Sequence, residues 1–360
     1  MRRIIAIFWV ACFPSIVLAD SETTGEFGIK SAGLGLNGSG VVIGMVEKYR
    51  AGKPGKDSAQ YVHTQTNPVQ VYAGTSVDSA NSQYVTAIDP FTGGTDSHAT
   101  QVAGVMIANG VGNANLRGIA PQASLYSGAI AGTSDDFFTL AVNRIAGLAA
   151  NPRAINLSFG RAHQFPIEFP LDGDSHATQF VDWSARAHDV LYVVAGSEET
   201  VDIEIPQDNF NGITVGASDR VLGVGAYRQV ASFNNQIFDA DGERTTIDLV
   251  APGDQVQVTK HNNGDESVSG TSFAAPHVTG AAALLHQYAA NQITAGTPRW
   301  GNEARFHEVT KAILLNSADK LDGVHGSTRE IINETGQNWL TTSANAFASV
   351  RSNGSDESIR

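Results

Sequence analysis

A serine at the start of a helix is the residue of this chain whose setting is best suited to chemistry. Residues 270–280 read GTSFAAPHVTG, and the small and apolar residues after Ser272 have a spacing typical of a helix. A helix N-terminus carries unpaired N–H groups and the positive end of the helix dipole. The backbone there would therefore stabilise an oxyanion formed when Ser272 attacks a carbonyl. Pro276 fits a first helical turn, where its missing N–H costs little. A helix in which the serine is only a cap is the alternative.

A histidine far upstream could supply the base that such a serine needs. Residues 96–104 read DSHATQVAG, which places His98 at the start of another helical segment. Histidine titrates near neutral pH, so it can take the proton of a serine hydroxyl and return it to a leaving amine. Taken alone, this residue is also consistent with an ordinary histidine at a helix start.

These two segments resemble the nucleophile and histidine motifs of the subtilisin-like serine proteases (subtilases, peptidase family S8). The histidine motif has Ala99 where the family usually has glycine. Three further segments are similar to family motifs: RGIAP at 117–121, INLSFG at 155–160 and DLVAPG at 248–253. The acid, the histidine and the serine also follow one another in the order found in subtilisin. The sequence is identified as a member of this family.

The resemblance implies a serine endopeptidase in which Ser272 is the nucleophile and His98 the general base. The reaction would pass through an acyl-enzyme that water hydrolyses. The resemblance also implies that five residues bind an extended peptide and line the main specificity pocket: Ser158, Phe159, Gly160, Ala195 and Gly196.

Two positions of the implied catalytic set depart from the family. Glu47 stands where the family has aspartate, and the longer carboxylate can still orient His98 if the backbone shifts by about 1.5 Å. Ser197 stands where the family has the asparagine of the oxyanion hole, and its hydroxyl reaches less far than an amide. In an enzyme with weakened geometry, Glu47→Asp and Ser197→Asn should raise activity. The alternative is a subtilisin-like protein that binds extended peptides without efficient cleavage, which these changes would leave inactive.

Apolar, β-branched runs alternate with helical spacing along the chain. This order predicts a doubly wound α/β fold, in which a mainly parallel sheet lies between two layers of helices, as the family resemblance also implies. The predicted strands are 41–46, 124–130, 154–157, 191–195, 213–217 and 247–251. The predicted helices are 98–108, 136–148, 178–188, 272–288 and 305–316.

Composition excludes several classes of protein. Of the 360 residues, 42% are hydrophobic and only 16% charged, against about 25% charged in average globular proteins. A charge-driven disordered chain and a coiled coil are therefore excluded. The formal net charge is −13, without a block of Lys and Arg, so nucleic acid is not an expected partner. We expect a monomer whose partner is its protein or peptide substrate.

The first residues have the pattern of an export signal. Arg2 and Arg3 precede an apolar run that ends in a small-residue cleavage site at Ala19. We therefore expect a signal peptide at 1–19, a single domain at 20–350, a polar tail at 351–360, and export to the periplasm or the medium. The only cysteine, Cys12, lies in the leader, so the mature chain can form no internal disulfide. Acylation of Cys12 as a lipoprotein is the alternative.

No cofactor is expected to be needed for catalysis. Residues 109–115 read NGVGNAN and offer carbonyl and amide oxygens where family members often bind a structural Ca²⁺. A polar, glycine-rich turn after the histidine helix is the alternative, so the sequence leaves Ca²⁺ binding open.

Overall fold

A central sheet of mainly parallel strands forms the framework of the molecule. The structure is a computed structural model, and it describes residues 34–49, 51, 69–71, 96–108, 114–130, 135–162, 172–197, 204–220, 227–231, 233, 246–259, 265–320 and 348–349. The strands are β1 (Val42–Glu47), β2 (Val69–Val71), β3 (Ser124–Ala129), β4 (Ala154–Leu157), β5 (Arg161–Ala162), β6 (Leu191–Ala195), β7 (Glu204–Ile205), β8 (Ile213–Arg220), β9 (Tyr227–Val230), β10 (Leu249–Pro252), β11 (Val256–Thr259), β12 (Asp265–Val268), β13 (Asp319–Lys320) and β14 (Ala348–Ser349).

The order of strands in the sheet is β13-β14-β10-β8-β6-β4-β1-β3-β2, with β9 also paired to β8. All neighbours from β14 to β2 are parallel, whereas β13 and β9 run antiparallel to their partners. Two antiparallel pairs, β11 with β12 and β5 with β7, lie outside this sheet. All six predicted strands are present, with boundaries that differ by at most three residues.

In the described part of the chain, five helices cover the sheet: α1 (Ser97–Ile107), α2 (Asp135–Ala146), α3 (His176–His188), α4 (Thr271–Thr294) and α5 (His307–Asn316). Helix α4 is longer than predicted because the chain has no helix-breaking residue after Tyr288 until Gly296, whose φ is +67°. Helix α5 begins two residues later than predicted, since Asn302–Arg305 forms a 3₁₀ turn. Within the described residues, no helix is long and apolar enough to cross a membrane.

The sheet separates two apolar cores. Helices α1 and α4 pack with Met45 and Val193 on one face, while α2 and α3 pack with Val46 and Val194 on the other. Adjacent strand residues thus point to opposite faces, and both faces are buried. This arrangement confirms the predicted three-layer α/β fold.

Three neighbouring strands bring distant segments to one edge of the sheet. Glu47 is the last residue of β1, Ser158 follows β4, and Gly196 follows β6. The register pairs Val46 with Leu157, and Leu157 with Val194. Open α/β sheets bind ligands outside the carboxyl ends of their strands. The candidate residues therefore meet at the edge where a site is expected.

Two histidines inside α4 make the stability of this fold depend on pH. Burial lowers the pKa of His277 to about 4, and burial together with the positive charges of Arg153 and Arg305 lowers that of His286 to about 3. A histidine in the unfolded chain titrates near 6.5, so the unfolded state binds more protons as the pH falls below that value. We expect the free energy of unfolding to fall by about 2 kcal/mol for each histidine between pH 7 and pH 5.

This loss is measurable as a melting temperature several degrees lower at pH 5 than at pH 7. His277→Gln should weaken the dependence, because glutamine stays neutral over this range. His176→Gln, at an exposed position of α3, is the matched control and should leave the dependence as in the wild type. Equal melting temperatures at the two pH values would contradict the prediction.

Candidate active site

A carboxylate and an imidazole are in contact at the carboxyl end of β1. Glu47 Oε2 lies 3.3 Å from His98 Nδ1, and the side chains are 3% and 38% exposed, respectively. His98 is the second residue of α1, and its backbone N–H donates to the N-cap side chain of Asp96 at 3.0 Å. The cap fixes the start of the helix and with it the position of His98. The longer side chain of Glu47 therefore reaches the histidine from the strand end.

The environment of Glu47 acts on its ionisation in two opposing ways. Burial raises the pKa of Glu47, while the hydrogen bond and the charge of His98 act in the opposite direction. Its second oxygen, Oε1, is buried and accepts no hydrogen bond from the part of the chain that the structure describes. The contact with His98 and a weaker hydrogen bond from the backbone of Ser158 together offset part of the cost of burying this carboxylate.

Ser272 is the second residue of α4 and contacts the segment after β4 through two hydrogen bonds. Its Oγ donates to the carbonyl of Ser158 at 3.2 Å, and Ser158 Oγ donates to the carbonyl of Ser272 at 2.7 Å. The N-cap Gly270 has φ = +153°, a value that favours glycine. The two hydrogen bonds and the conformation of Gly270 therefore fix the backbone near Ser272.

Aromatic packing links the histidine to the helix that carries the serine. The ring centroids of His98 and Phe273 are 5.6 Å apart, with a tilted geometry. Phe273 directly follows Ser272, and α1 packs along α4 in the same core. Glu47, His98 and the start of α4 thus come together at one edge of the sheet, although 225 positions separate Glu47 from Ser272.

Comparison with known proteins decides which family this arrangement belongs to. The family described as "Subtilase family" matches residues 40–335. The chain belongs to the subtilase family. It is 30% identical over 237 residues to Subtilisin Savinase of Lederbergia lenta, covering 64% of this chain and 76% of that protein. It is 32% identical over 232 residues to Alkaline elastase YaB of Bacillus sp. (strain YaB), covering 63% and 51%. The match thus spans about half the length of that elastase.

Solved structures are similar in fold. The Prenylagaramide maturation protease PagA aligns with a TM-score of 0.60 and 19% identity, covering 92% of this chain and 99% of that one. A cold-adapted subtilisin-like serine proteinase aligns with a TM-score of 0.54 and 18% identity, covering 80% and 88%. At these identities the likeness supports the three-layer fold and no more.

The segment that carries Ser197 in this subtilase lies against the start of α4. Thr271 Oγ1 donates to the carbonyl of Gly196 at 2.6 Å, which holds the Gly196–Ser197 peptide beside the segment that contains Ser272. Ser197 is 3% exposed, and its backbone N–H donates to Gln207 Oε1 at 2.9 Å. Glu198, which follows Ser197, lies outside the described residues.

Gln207 is a residue that the sequence analysis missed. Its side chain is 2% exposed, and its Nε2 is buried without a hydrogen-bond partner in the described structure. The carbonyl and the N–H of a trans peptide point in opposite directions. In the Gly196–Ser197 peptide, the carbonyl faces Thr271 and the N–H faces Gln207. Gln207 therefore lies on the opposite side of this peptide from Thr271. No local motif marks this glutamine, so only the fold could identify it.

The remaining predicted binding residues lie at the same edge of the sheet. Ser158, Phe159 and Gly160 follow β4, Ala195 ends the neighbouring β6, and Gly196 follows it. The Phe159 ring packs edge-on against Phe138 of α2, with centroids 5.8 Å apart. This contact holds the Phe159 ring on the side of α2. The proposal that this segment binds peptide therefore rests on its main chain.

The structure also corrects the sequence-based interpretation of Pro276. Since α4 begins at Thr271, Pro276 is its sixth residue and lies beyond the first turn. Its missing N–H therefore leaves the carbonyl of Ser272 without its helical partner. The Ser158 hydroxyl donates a hydrogen bond to this carbonyl instead.

The proposed calcium site cannot be compared with the structure in the same way. Residues 109–113 lie outside the described residues, so this site stays a prediction.

Proposed function

We propose that this subtilase is a serine endopeptidase with a variant catalytic set made of Ser272, His98 and Glu47. The observation that carries the proposal is the 3.3 Å contact between Glu47 Oε2 and His98 Nδ1. With Nδ1–H donated to the carboxylate, the lone pair of Nε2 is available to act as a base. The altered acid thus keeps the tautomer that general-base catalysis needs.

The proposed reaction has two steps. Ser272 Oγ attacks the substrate carbonyl while its proton passes to His98, and the same proton then goes to the leaving amine. In the resting structure the hydroxyl donates to the Ser158 carbonyl, so attack requires it to turn towards the imidazole. Water then hydrolyses the ester, with His98 again as the base. Glu47 orients the ring and stabilises the imidazolium.

A fluorophosphonate probe tests this proposal directly. An activated serine attacks phosphorus, fluoride leaves, and a stable adduct remains on Oγ. We expect mass spectrometry of the labelled protein to find one adduct per chain, on the peptide that contains Ser272. A folded protein without the adduct would contradict an activated nucleophile and would favour a peptide-binding protein.

Substitution of Ser197 tests the proposed oxyanion hole. We propose that the Ser197 hydroxyl and the Ser272 N–H donate hydrogen bonds to the oxyanion. The hydroxyl reaches less far than the amide of an asparagine would. Ser197→Asn should then raise kcat by about tenfold or more, because an amide donor to an oxyanion contributes about 10²- to 10³-fold. Ser197→Ala should lower kcat with little change in KM. An unchanged kcat in Ser197→Ala, measured with a fluorogenic peptide library, would exclude this hydroxyl from the hole.

We propose further that the protein is exported. This proposal rests on the leader pattern at 1–19, which lies outside the described residues. N-terminal sequencing of the protein from the expressing cell is its test, with Asp20 as the expected first residue of the mature chain.

A further inference from the structure

A buried polar side chain lies on β4, a central strand of the sheet, close to the segment that contacts Ser272. Asn156 of β4 is 0% exposed, although its neighbours Ile155 and Leu157 belong to the apolar core of α2 and α3. Side chains alternate along a strand, so Asn156 points to the opposite face, where α4 packs. Burying an amide is unfavourable unless it is hydrogen-bonded. The bonds of Asn156 therefore show what it does.

Three hydrogen bonds run in one direction from the third turn of α4 to the backbone of Ser272. Thr279 Oγ1 donates to Asn156 Oδ1 at 3.1 Å, and Asn156 Nδ2 donates to Ser158 Oγ at 2.8 Å. Ser158 Oγ in turn donates to the Ser272 carbonyl at 2.7 Å. We call Thr279, Asn156 and Ser158 the relay. Its hydrogen bonds start at Thr279 of α4, pass through Asn156 of β4 and Ser158, and end at the Ser272 carbonyl, again on α4.

Pro276 explains why the relay can end on the Ser272 carbonyl. In a regular helix that carbonyl would accept the N–H of residue 276, which proline does not have. The free acceptor takes the Ser158 hydroxyl instead. Because this hydroxyl also accepts from Asn156, both its proton and a lone pair are engaged. Its direction is therefore fixed by the Asn156 amide and the Ser272 carbonyl.

We propose that Asn156 and Thr279 are positioning residues that set the backbone of Ser272 through Ser158. This inference rests on the proposed function of Ser272 as the nucleophile. Without the Thr279 hydroxyl, Asn156 Oδ1 would lose its donor, the amide could turn, and Ser158 would lose the partner that directs it. A misplacement of reacting groups by about 1 Å costs on the order of 10²-fold in rate, so smaller shifts still reduce acylation measurably.

Thr279→Val tests the relay with little change in side-chain shape. We expect the rate of fluorophosphonate labelling at Ser272 and kcat to fall by about tenfold, with KM within about twofold of the wild type. The pH of half-maximal rate should stay unchanged, since the relay's hydrogen bonds are made by side chains other than those of Glu47 and His98. Thr279→Ser keeps the hydroxyl and should restore the labelling rate to within about twofold of wild type.

Thr310→Val is the matched control. Thr279 Oγ1 also lies 3.3 Å from the Ala275 carbonyl, and Thr310 Oγ1 has a similar pair of partners, the Phe306 carbonyl and His286 Nε2, each at 3.2 Å. Both threonines are buried, so the two valine variants should lose similar stability. Only Thr279→Val should slow labelling. Equal slowing in both variants would overturn the inference, because it would show a general effect of destabilisation.

Ser158→Ala completes the test as a double-mutant cycle with Thr279→Val. If Thr279 acts through Ser158, Ser158→Ala slows labelling by itself and Thr279→Val adds nothing to it. Wild-type labelling in the folded Thr279→Val protein overturns the relay and leaves the proposed function intact. Should Thr279→Val not fold, wild-type labelling in Ser158→Ala overturns the relay in the same way. A wild-type protein without any adduct overturns the proposed function itself.

Discussion

Ser272→Ala is expected to abolish peptide hydrolysis, with a loss of kcat on the order of 10⁶-fold, because no other step can form the acyl-enzyme. The fluorophosphonate adduct should disappear at the same time. The fold should persist, since within the described residues the Ser272 hydroxyl makes one hydrogen bond, at 3.2 Å, and the helix backbone is unchanged. Turnover of a fluorogenic peptide library and the melting temperature together check this prediction.

Ser269→Ala is the matched control for that experiment. Ser269 lies three residues upstream, is exposed, and donates to Asp254 at 2.7 Å while accepting from the N–H of Gln255 at 3.0 Å. It is outside the proposed catalytic set, so its loss should leave turnover and labelling as in the wild type. Residual turnover of Ser272→Ala above about a hundredth of wild type would place the nucleophile elsewhere.

Glu47→Gln is expected to lower kcat by about 10⁴-fold, because an amide can donate to His98 Nδ1 and so stabilise the wrong tautomer. With Nδ1 as an acceptor, the proton lies on Nε2, and the imidazole can no longer take the serine proton. Side-chain volume and reach stay nearly the same, so the loss isolates the charge and the acceptor. Steady-state kinetics measures this loss of kcat, and an unchanged KM would show that substrate binding is intact.

Glu47→Asp separates reach from charge and reverses an expectation from the sequence. The family pattern predicts that aspartate would improve this enzyme. In the structure, however, the glutamate already lies 3.3 Å from His98, and removal of one methylene would withdraw the carboxylate by about 1.5 Å. We therefore expect Glu47→Asp to be less active than the wild type, though more active than Glu47→Gln. Activity above the wild type would show that the observed contact is not the productive one.

Most of the fold could be predicted because its signals are local. Buried parallel strands are continuous apolar runs, and β4 and β6 have the predicted boundaries, Ala154–Leu157 and Leu191–Ala195. The ends of the helices were harder to predict from the sequence. The start of α5 depended on a 3₁₀ turn, and the position of Pro276 within α4 could be counted only once the helix start was known.

The residues proposed as nucleophile and base could be predicted from sequence because each lies within a distinctive run of neighbours along the chain. The contacts that decide how the site works join residues far apart in sequence. Glu47 meets His98 across 51 positions, and Thr279 meets Asn156 across 123. Gln207 carries no local signal, and the motifs that contain Asn156 and Thr279 do not indicate their contact, because an amide or a hydroxyl gains its role from the partner that the fold brings to it. The sequence by itself thus determined the family, the layers of the fold and the candidates for nucleophile and base. Only the tertiary structure decided that the longer acid reaches the histidine and that Asn156 joins Thr279 to Ser158 beside Ser272, since hydrogen bonds depend on distances within a few tenths of an ångström.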